Sequence, residues 1–421
     1  MVERFRMTEP KDSAASRERK GSIAVISPRQ DDVERWLFGF IRPDAPRGRA
    51  AWTSARSFFA ALGDPQDRVR AVHVVGTAGK GTVAQIVARE LRRQGLTVGL
   101  HLSPHVHDVR ERFTVAEALP SWEEVAAAAD EIQAVVDDGH QPTFFAVTTA
   151  MALVLARRAD TDVLVIEAGI GGRHDATNTF RRRDVITAIT AIGLDHQDVL
   201  GPTVGDIATE KAAVLRGRDW AVVGPQADPT ARRAVRAAGR VFGTRLVHVR
   251  PTGDWRTDAQ AIARGVLMWF VGEVGELAPL DQPGRYEVHR VDGRRWIFDG
   301  AHNPMKLSAL AETLADEASR RVGIVAIGAG KDLPGCANAL AEVLDAAIVV
   351  EFGPPPGAHG PASHPASAVI EALQRAGISD VEHAADPVAA TVMANESDAA
   401  TIVVTGSFLH VPLVRAALLG G

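Results

Sequence analysis

Short runs of β-branched and aliphatic residues alternate with longer stretches rich in Ala, Leu and Arg along most of the chain. Uninterrupted apolar runs of strand length suit strands covered by helices on both faces, as in a parallel sheet. On this pattern residues 71–75 read as a strand, 76–81 as a glycine turn and 82–94 as a helix. A strand over 97–102 follows, then helices over 122–136 and 144–158. Residues 162–167 and 184–192 are two further strands of the buried type. This alternation predicts an α/β fold built on a doubly wound parallel sheet.

A second, shorter α/β series begins near Arg285, with strands predicted over 296–298, 322–327, 347–351 and 401–405. The Pro/Gly-rich stretch 353–367 reads as a surface loop. Pro283-Gly284 breaks the pattern, so the expected division is a tail over 1–22, a first domain over 23–283 and a smaller one over 284–421. The tail is polar, mixed in charge and without an apolar centre, which predicts disorder rather than a signal peptide. No internal repeat is evident.

Composition narrows the function classes. At 421 residues the chain is too long for one ordinary domain. A net charge of -5 gives no basic footprint for nucleic acid. No apolar run reaches the roughly 18–20 residues that span a bilayer. A membrane is therefore not an expected partner, and a cytoplasmic location is expected. The single cysteine, Cys336, rules out an internal disulfide and has no evident catalytic partner.

Chemistry concentrates after three of the predicted strands. The run Val74-Val75-Gly76-Thr77-Ala78-Gly79-Lys80-Gly81-Thr82 carries a strand into glycines, a lysine and a hydroxyl residue that opens a helix. Glycines let backbone N–H groups approach a phosphate, and the helix N-terminus adds positive potential. The strict phosphate-loop pattern is not met, because Gly81 separates Lys80 from Thr82. A tight turn with an exposed lysine is the plainer alternative. Glu167 ends a strand and leads into a glycine-rich stretch through Asn178. Open α/β sheets place ligands at that end of their strands, although a capped glycine loop explains the stretch as well. Gly193-Leu194-Asp195-His196 follows another strand and offers His196 as a metal ligand or as a merely structural histidine. Taken together, the three strand ends favour one site for a magnesium nucleotide.

These residues also carry a resemblance. Gly76–Thr82 in order, Ser103-Pro104-His105, Glu111-Arg112, Thr143-Phe144-Phe145, Glu167 through Asn178, Gly193 through His196 and Thr209-Glu210-Lys211-Ala212 occur as in folylpolyglutamate/dihydrofolate synthases, a branch of the Mur ligases. Pro283-Gly284-Arg285, Asp299-Gly300-Ala301-His302-Asn303-Pro304 and Thr405-Gly406-Ser407 extend the likeness through the second series. It implies a Mur-ligase-like fold, with an ATP-binding domain followed by a Rossmann-like glutamate-ligase domain. It also implies a monomer that joins L-glutamate to a folate-type carboxylate through an acyl-phosphate. Gly76, Thr77, Gly79, Lys80, Gly81, Thr82, Arg285 and Asp299 would hold ATP. Thr82, Glu167, His196 and a carbamylated Lys211 would surround two Mg²⁺ ions. Lys80, Lys211 and His302 would be catalytic, and Ser103, His105, Arg112, Phe145, His302 and Ser407 would meet the substrates.

Departures from the family pattern bear on substrate. Ala78 stands where asparagine is usual, and Ala116-Glu117 replaces the usual Asn-Gly turn. The family's adenine-handling segment has no clear counterpart, with 255–260 the nearest candidate. Lys331-Asp332 is all that remains of a usual Asp-Lys-Asp. Two alternatives to a folate ligase stay open: a paralogue joining another acid and amine, and an inactive nucleotide-binding homologue.

Overall fold

The structure is a computed structural model and describes residues 29–278, 280–315, 319–354, 360 and 362–420. The expected tail over 1–22 lies outside the described residues. Two sheets organise the chain.

The first sheet comprises β1 (Arg70–Val75), β2 (Val98–His101), β3 (Phe113–Val115), β4 (Val163–Glu167), β5 (Ile186–Ile189), β6 (Trp220–Val223) and β7 (Arg245–His248). Their order is β3-β2-β4-β1-β5-β6-β7, parallel except for β3, which pairs antiparallel with β2. The second sheet comprises β8 (Glu287–Val291), β9 (Arg294–Phe298), β10 (Arg321–Val325), β11 (Ala346–Val349), β12 (Asp380–His383) and β13 (Thr401–Thr405). Its order is β12-β11-β10-β13-β9-β8, with β8 antiparallel at the edge. The expected fold class is thus present, as two α/β sheets with one antiparallel edge strand each.

Side-chain alternation explains why the central strands read as continuous apolar runs. On β4, Val163 and Val165 pack into one core with Val72, Val74, Ile86 and Ile262. Leu164 and Ile166 face the opposite way, into a core with Ala71, Phe58, Phe59 and Met151. The strands missing from the sequence reading, β3, β6, β7, β8 and β12, are short, and all but β6 are sheet edges, with much of the surface of β7, β8 and β12 exposed. Half-solvated strands with charged residues carry little apolar signal.

The chain order places a switch point at β1. Its neighbours β4 and β5 lie on opposite sides and all three run the same way. Loops from such adjacent strand ends diverge and leave a crevice. Into it lead the glycine turn after β1, Glu167 at the end of β4 and the loop after β5. The Arg181–Arg183 run is pinned locally: Arg181 meets Asp64 and Asp67, Arg182 meets Asp184, and Arg183 meets Asp219. No helix among the described residues is long and apolar enough to cross a membrane.

Ala116 occupies the turn after β3 with φ 57, in the left-handed region. That conformation costs an L-residue about 1–2 kcal/mol, and glycine avoids the cost while losing some unfolded-state entropy. Ala116→Gly is therefore expected to raise the urea-unfolding free energy by up to about 1 kcal/mol. A decrease would show that the Ala116 methyl group is favourably packed.

Candidate active site

The glycine turn is strapped to the loop after β5. The Thr77 and Ala78 N–H groups both donate to Ala191 O, at 2.8 and 3.3 Å, and the Thr77 hydroxyl donates to Gly193 O at 3.1 Å. Gly79 caps the helix Lys80–Arg93 with φ 80, which only glycine adopts without strain. Gly81, the residue that spoils the strict phosphate-loop spacing, has a steric reason. A Cβ there would stand 2.9 Å from Arg285 Nη2 and 3.2 Å from Glu167 Oε2. Its bare backbone lets a carboxylate from β4 and a guanidinium from the second half approach the same turn.

Below this turn lies a polar cavity lined by Lys80, Glu167, Asp195, His196 and Lys211, with Ser103 beside them. Lys80 Nζ is 3.7 Å from Glu167 Oε1, and the Ser103 N–H donates to Glu167 Oε2 at 3.1 Å. Lys211 is 4% exposed and donates to Gly76 O at 2.8 Å. Burial, reinforced by Lys80, pushes its ammonium down to about 7. His196 adopts φ 51, a conformation that is rare outside glycine and that gathers at functional sites. Burial pushes its imidazole down to about 4 against the pull of Asp195, leaving a neutral ring with a lone pair at neutral pH.

Thr82 departs from the expected set. Its hydroxyl donates to Gln282 Oε1 at 2.9 Å, and it lines the neighbouring cavity rather than the polar one. Ser103, which lines the polar cavity, stands beside Glu167 through its backbone N–H. Among the described residues no three His, Cys, Asp or Glu side chains group together. Magnesium needs no such cage, because it is commonly held by one or two carboxylates with phosphate and water oxygens completing the shell. The donors present, the Glu167 carboxylate, the Ser103 hydroxyl and the neutral His196, fit that pattern.

The second sheet closes the cavity from the other side. Arg285 lies over the Phe408 ring, 4.8 Å from its centroid, and lines both cavities. Asp299, after β9, accepts the Tyr286 and Ala301 N–H groups at 2.8 Å each, which fixes the turn carrying Arg285. Burial nevertheless raises the Asp299 carboxyl above its ordinary value. His302 donates through Nδ1 to Gly300 O at 2.7 Å, and its Nε2 meets Lys306 Nζ at 3.0 Å. Ser407 does not reach either cavity lining; its Oγ accepts the Leu409 N–H at 3.1 Å, a local cap. Its neighbour Phe408 lines both.

The adjoining cavity is mostly apolar and opens off the same turn. Trp255, Ala259 and Ile262 line it from the start of the helix Trp255–Val271, opposite Gly79 and Val83. The nearest sequence candidate for an adenine segment thus stands beside the glycine turn. The loop after β2 is organised by Glu111, whose carboxylate accepts the N–H groups of Val106, His107 and Asp108. Arg112 Nε donates to His105 Nδ1 at 2.7 Å and its guanidinium lies 5.3 Å from the Phe144 ring centroid. Phe145 packs under Gly169, where a Cβ would sit 2.6 Å from the ring. Ser103, His105 and Arg112 are therefore assembled on one loop, with Phe144 stacked on it and Phe145 under the glycine-rich stretch after β4.

Lys306 and the partners of Asp195 escaped the sequence reading. Asp195 is bridged from the second sheet by Lys331 Nζ at 2.7 Å and Asn303 Nδ2 at 2.9 Å. Burial opposes ionisation of Asp195, yet His196, Lys331 and Lys306 hold its carboxyl well below the usual carboxylate range. The only hint in the sequence was the short Lys331-Asp332 remnant. Asp195→Ala leaves a cation and an amide unpaired at the seam and is expected to cost about 3 kcal/mol in denaturant unfolding. Because the folded value is depressed, this contribution is full above about pH 4 and fades only in stronger acid. A loss under about 1 kcal/mol would mean that the two halves do not depend on this bridge.

With this geometry in hand, comparisons with known proteins converge. Residues 284–408 match the family model described as Mur ligase, glutamate ligase domain. A probable bifunctional folylpolyglutamate synthase/dihydropteroate synthase of Halobacterium salinarum is 37% identical over 304 residues, 62% of this chain. The chain spans little more than a third of that protein and of a similar haloarchaeal one, 37% and 36% of their lengths. A folylpolyglutamate synthase of Lacticaseibacillus casei is 31% identical over 410 residues, covering 86% of this chain and 92% of that one. The structure of a Mycobacterium tuberculosis folylpolyglutamate synthase complexed with ADP superposes with a TM-score of 0.80 and 26% identity, over 93% of this chain and 98% of the other. The chain belongs to the folylpolyglutamate synthase/dihydrofolate synthase family of Mur-type ligases.

Proposed function

We propose that the protein is an ATP-dependent ligase that adds L-glutamate to a folate-type carboxylate through an acyl-phosphate. The observation that carries this reading is the cavity beneath the glycine turn, where Lys80, Arg285 and Lys306 gather around the open backbone of Gly79 and Gly81 beside Glu167. Such a cluster of cations, in a chain of net charge -5, suits a triphosphate and a second anionic substrate. The ADP complex of the mycobacterial relative supports the nucleotide assignment.

In this scheme the glycine-turn backbone and Lys80 hold the β- and γ-phosphates, and the base enters the apolar cavity against Trp255. Arg285 steadies the phosphate chain from the second sheet. The γ-phosphoryl group passes to the acid's carboxylate, releasing ADP. The glutamate amine then attacks the acyl carbon, and phosphate leaves from the tetrahedral intermediate. A magnesium ion bound at Ser103, Glu167 and His196 would supply charge neutralisation for the transferred phosphoryl group. Lys211 carries a carbamate in this reading. Its amine is buried and, with its ammonium down at about 7, substantially neutral at physiological pH, which is the state that adds CO₂. The Ser103–Arg112 loop and Phe145 face the acid substrate, and His302 faces the glutamate. Both walls of the site come from one chain divided near Gly284, which supports a monomer as the working unit. Dependence on ATP agrees with a cytoplasmic location.

Glu167→Gln is expected to lower turnover by at least about 100-fold while leaving the melting temperature within a few degrees. Lys211→Ala is expected to be inactive and partly restored by added short carboxylates. Carbamate formation needs the neutral amine, so the wild-type rate should fall as pH drops below about 7 at constant CO₂. A rate that stays flat to pH 6 would remove the carbamate from the scheme.

The activity itself is tested by phosphate release from ATP with glutamate and dihydropteroate, dihydrofolate or tetrahydrofolate, with product masses. Release that depends on one pterin acid, with a glutamate-sized mass gain, is the expected result. Silence with every pterin acid alongside measurable ATP binding would shift the assignment to a paralogue with another acid or amine.

A further inference from the structure

Lys306 has no role in the scheme as drawn, yet it lines both cavities, at the junction where the apolar one opens into the polar one. It belongs to the first turn of the helix Pro304–Leu314. A cation there adds to the positive end of the helix instead of offsetting it, so the position is unfavourable for stability alone. Among the described residues no carboxylate lies within ion-pair distance of Lys306. Asp195, the nearest opposing charge in effect, is already bridged by Lys331 and Asn303. The groups facing Lys306 are Lys80 from the glycine turn, Arg285 and Lys331 from the second half, Asp195 after β5, and His302 one turn back on its own segment.

The orientation of the ammonium is set by His302. The Gly300 carbonyl can only accept, so His302 Nδ1 carries the proton and Nε2 is left as an acceptor. Lys306 Nζ therefore donates one N–H to His302 at 3.0 Å and keeps two donors for the cavities. Lys80 and Lys306 approach the same space from opposite sheets, and an anion between them would turn their repulsion into attraction.

We propose that Lys306 is a phosphate-binding residue: with Arg285 it grips the nucleotide's phosphate chain from the side opposite the Lys80 turn. The proposal rests on the nucleotide reading given above. Burial, with Lys80 close by, pushes the Lys306 ammonium down to about 7 in the free protein. An anionic phosphate chain favours its charged form, so nucleotide binding is coupled to proton uptake near pH 7.5. Phosphate arrival thereby exchanges two opposed cations for a bridged pair and draws the second sheet onto the first.

The test is calorimetric titration of the full chain with ADP at about pH 7.5, in two buffers of different ionisation enthalpy. Wild type, Lys306→Met and Lys306→Arg are compared, with thermal melts of each without nucleotide. Lys306→Met should bind ADP roughly 10–100-fold more weakly, with reduced proton uptake and a melting temperature no lower than wild type. Lys306→Arg, charged at every pH, should keep ADP affinity within a few-fold and also lose that share of the uptake. Equal ADP affinity and equal uptake in wild type and Lys306→Met would overturn the proposal while leaving the nucleotide site in place. Weak binding in both variants with lowered melting temperatures would make Lys306 a structural residue and overturn it too. A wild-type protein that binds no ADP would instead sink the nucleotide reading on which the proposal stands.

Discussion

Positive charge held out of bulk water at the seam between two sheets is the constraint on which the site depends. Lys80 comes from the first sheet's side, Arg285 and Lys306 from the second's, and the buried amine of Lys211 lies beside them. Like charges in a poorly solvated cavity repel more strongly than in water, so each must be oriented and balanced. Gly76 accepts Lys211, Glu167 faces Lys80, Phe408 carries Arg285 and His302 accepts Lys306. Only Glu167 among these partners is a carboxylate. Arg285 and Lys306 are positioned by a ring and a neutral imidazole, which leaves their charge available to an incoming anion.

Asp195 has the complementary task. It stands beside His196 at the cavity wall and is joined to the second sheet through Lys331 and Asn303. One carboxylate thus links the His196 side of the cavity to the seam between the two sheets, which in the proposed reaction must stay closed around a water-sensitive acyl-phosphate. The bare backbone at Gly81 serves the same end, since it admits Arg285 and Glu167 to the turn from opposite directions.

Much of this was legible in the sequence. Central strands such as β1 and β4 bury both faces, so their apolar runs announce themselves, and chemistry follows directly after them. Glu167, Lys80 and His196 stand out in the sequence because strand ends in a parallel sheet are where ligands gather, and the structure brings the three to one cavity. The edge strands β7, β8 and β12 do not stand out, because a half-solvated strand looks like loop. Thr82 and Ser407 mark a different limit of the sequence. A hydroxyl can serve a ligand or a hydrogen bond within the protein, and the sequence alone shows neither the Thr82 bond to distant Gln282 nor the Ser407 cap on its neighbour Leu409. Lys306 was invisible because a lysine near a helix start reads as surface charge until the other sheet is folded against it.

The most direct measurement is a crystal structure of the chain with ADP bound. The account predicts the phosphates lodged between the Lys80 turn and the Arg285–Lys306 pair, with the base in the apolar cavity against Trp255. ADP found elsewhere, or phosphates that leave Arg285 and Lys306 without contact, would contradict it.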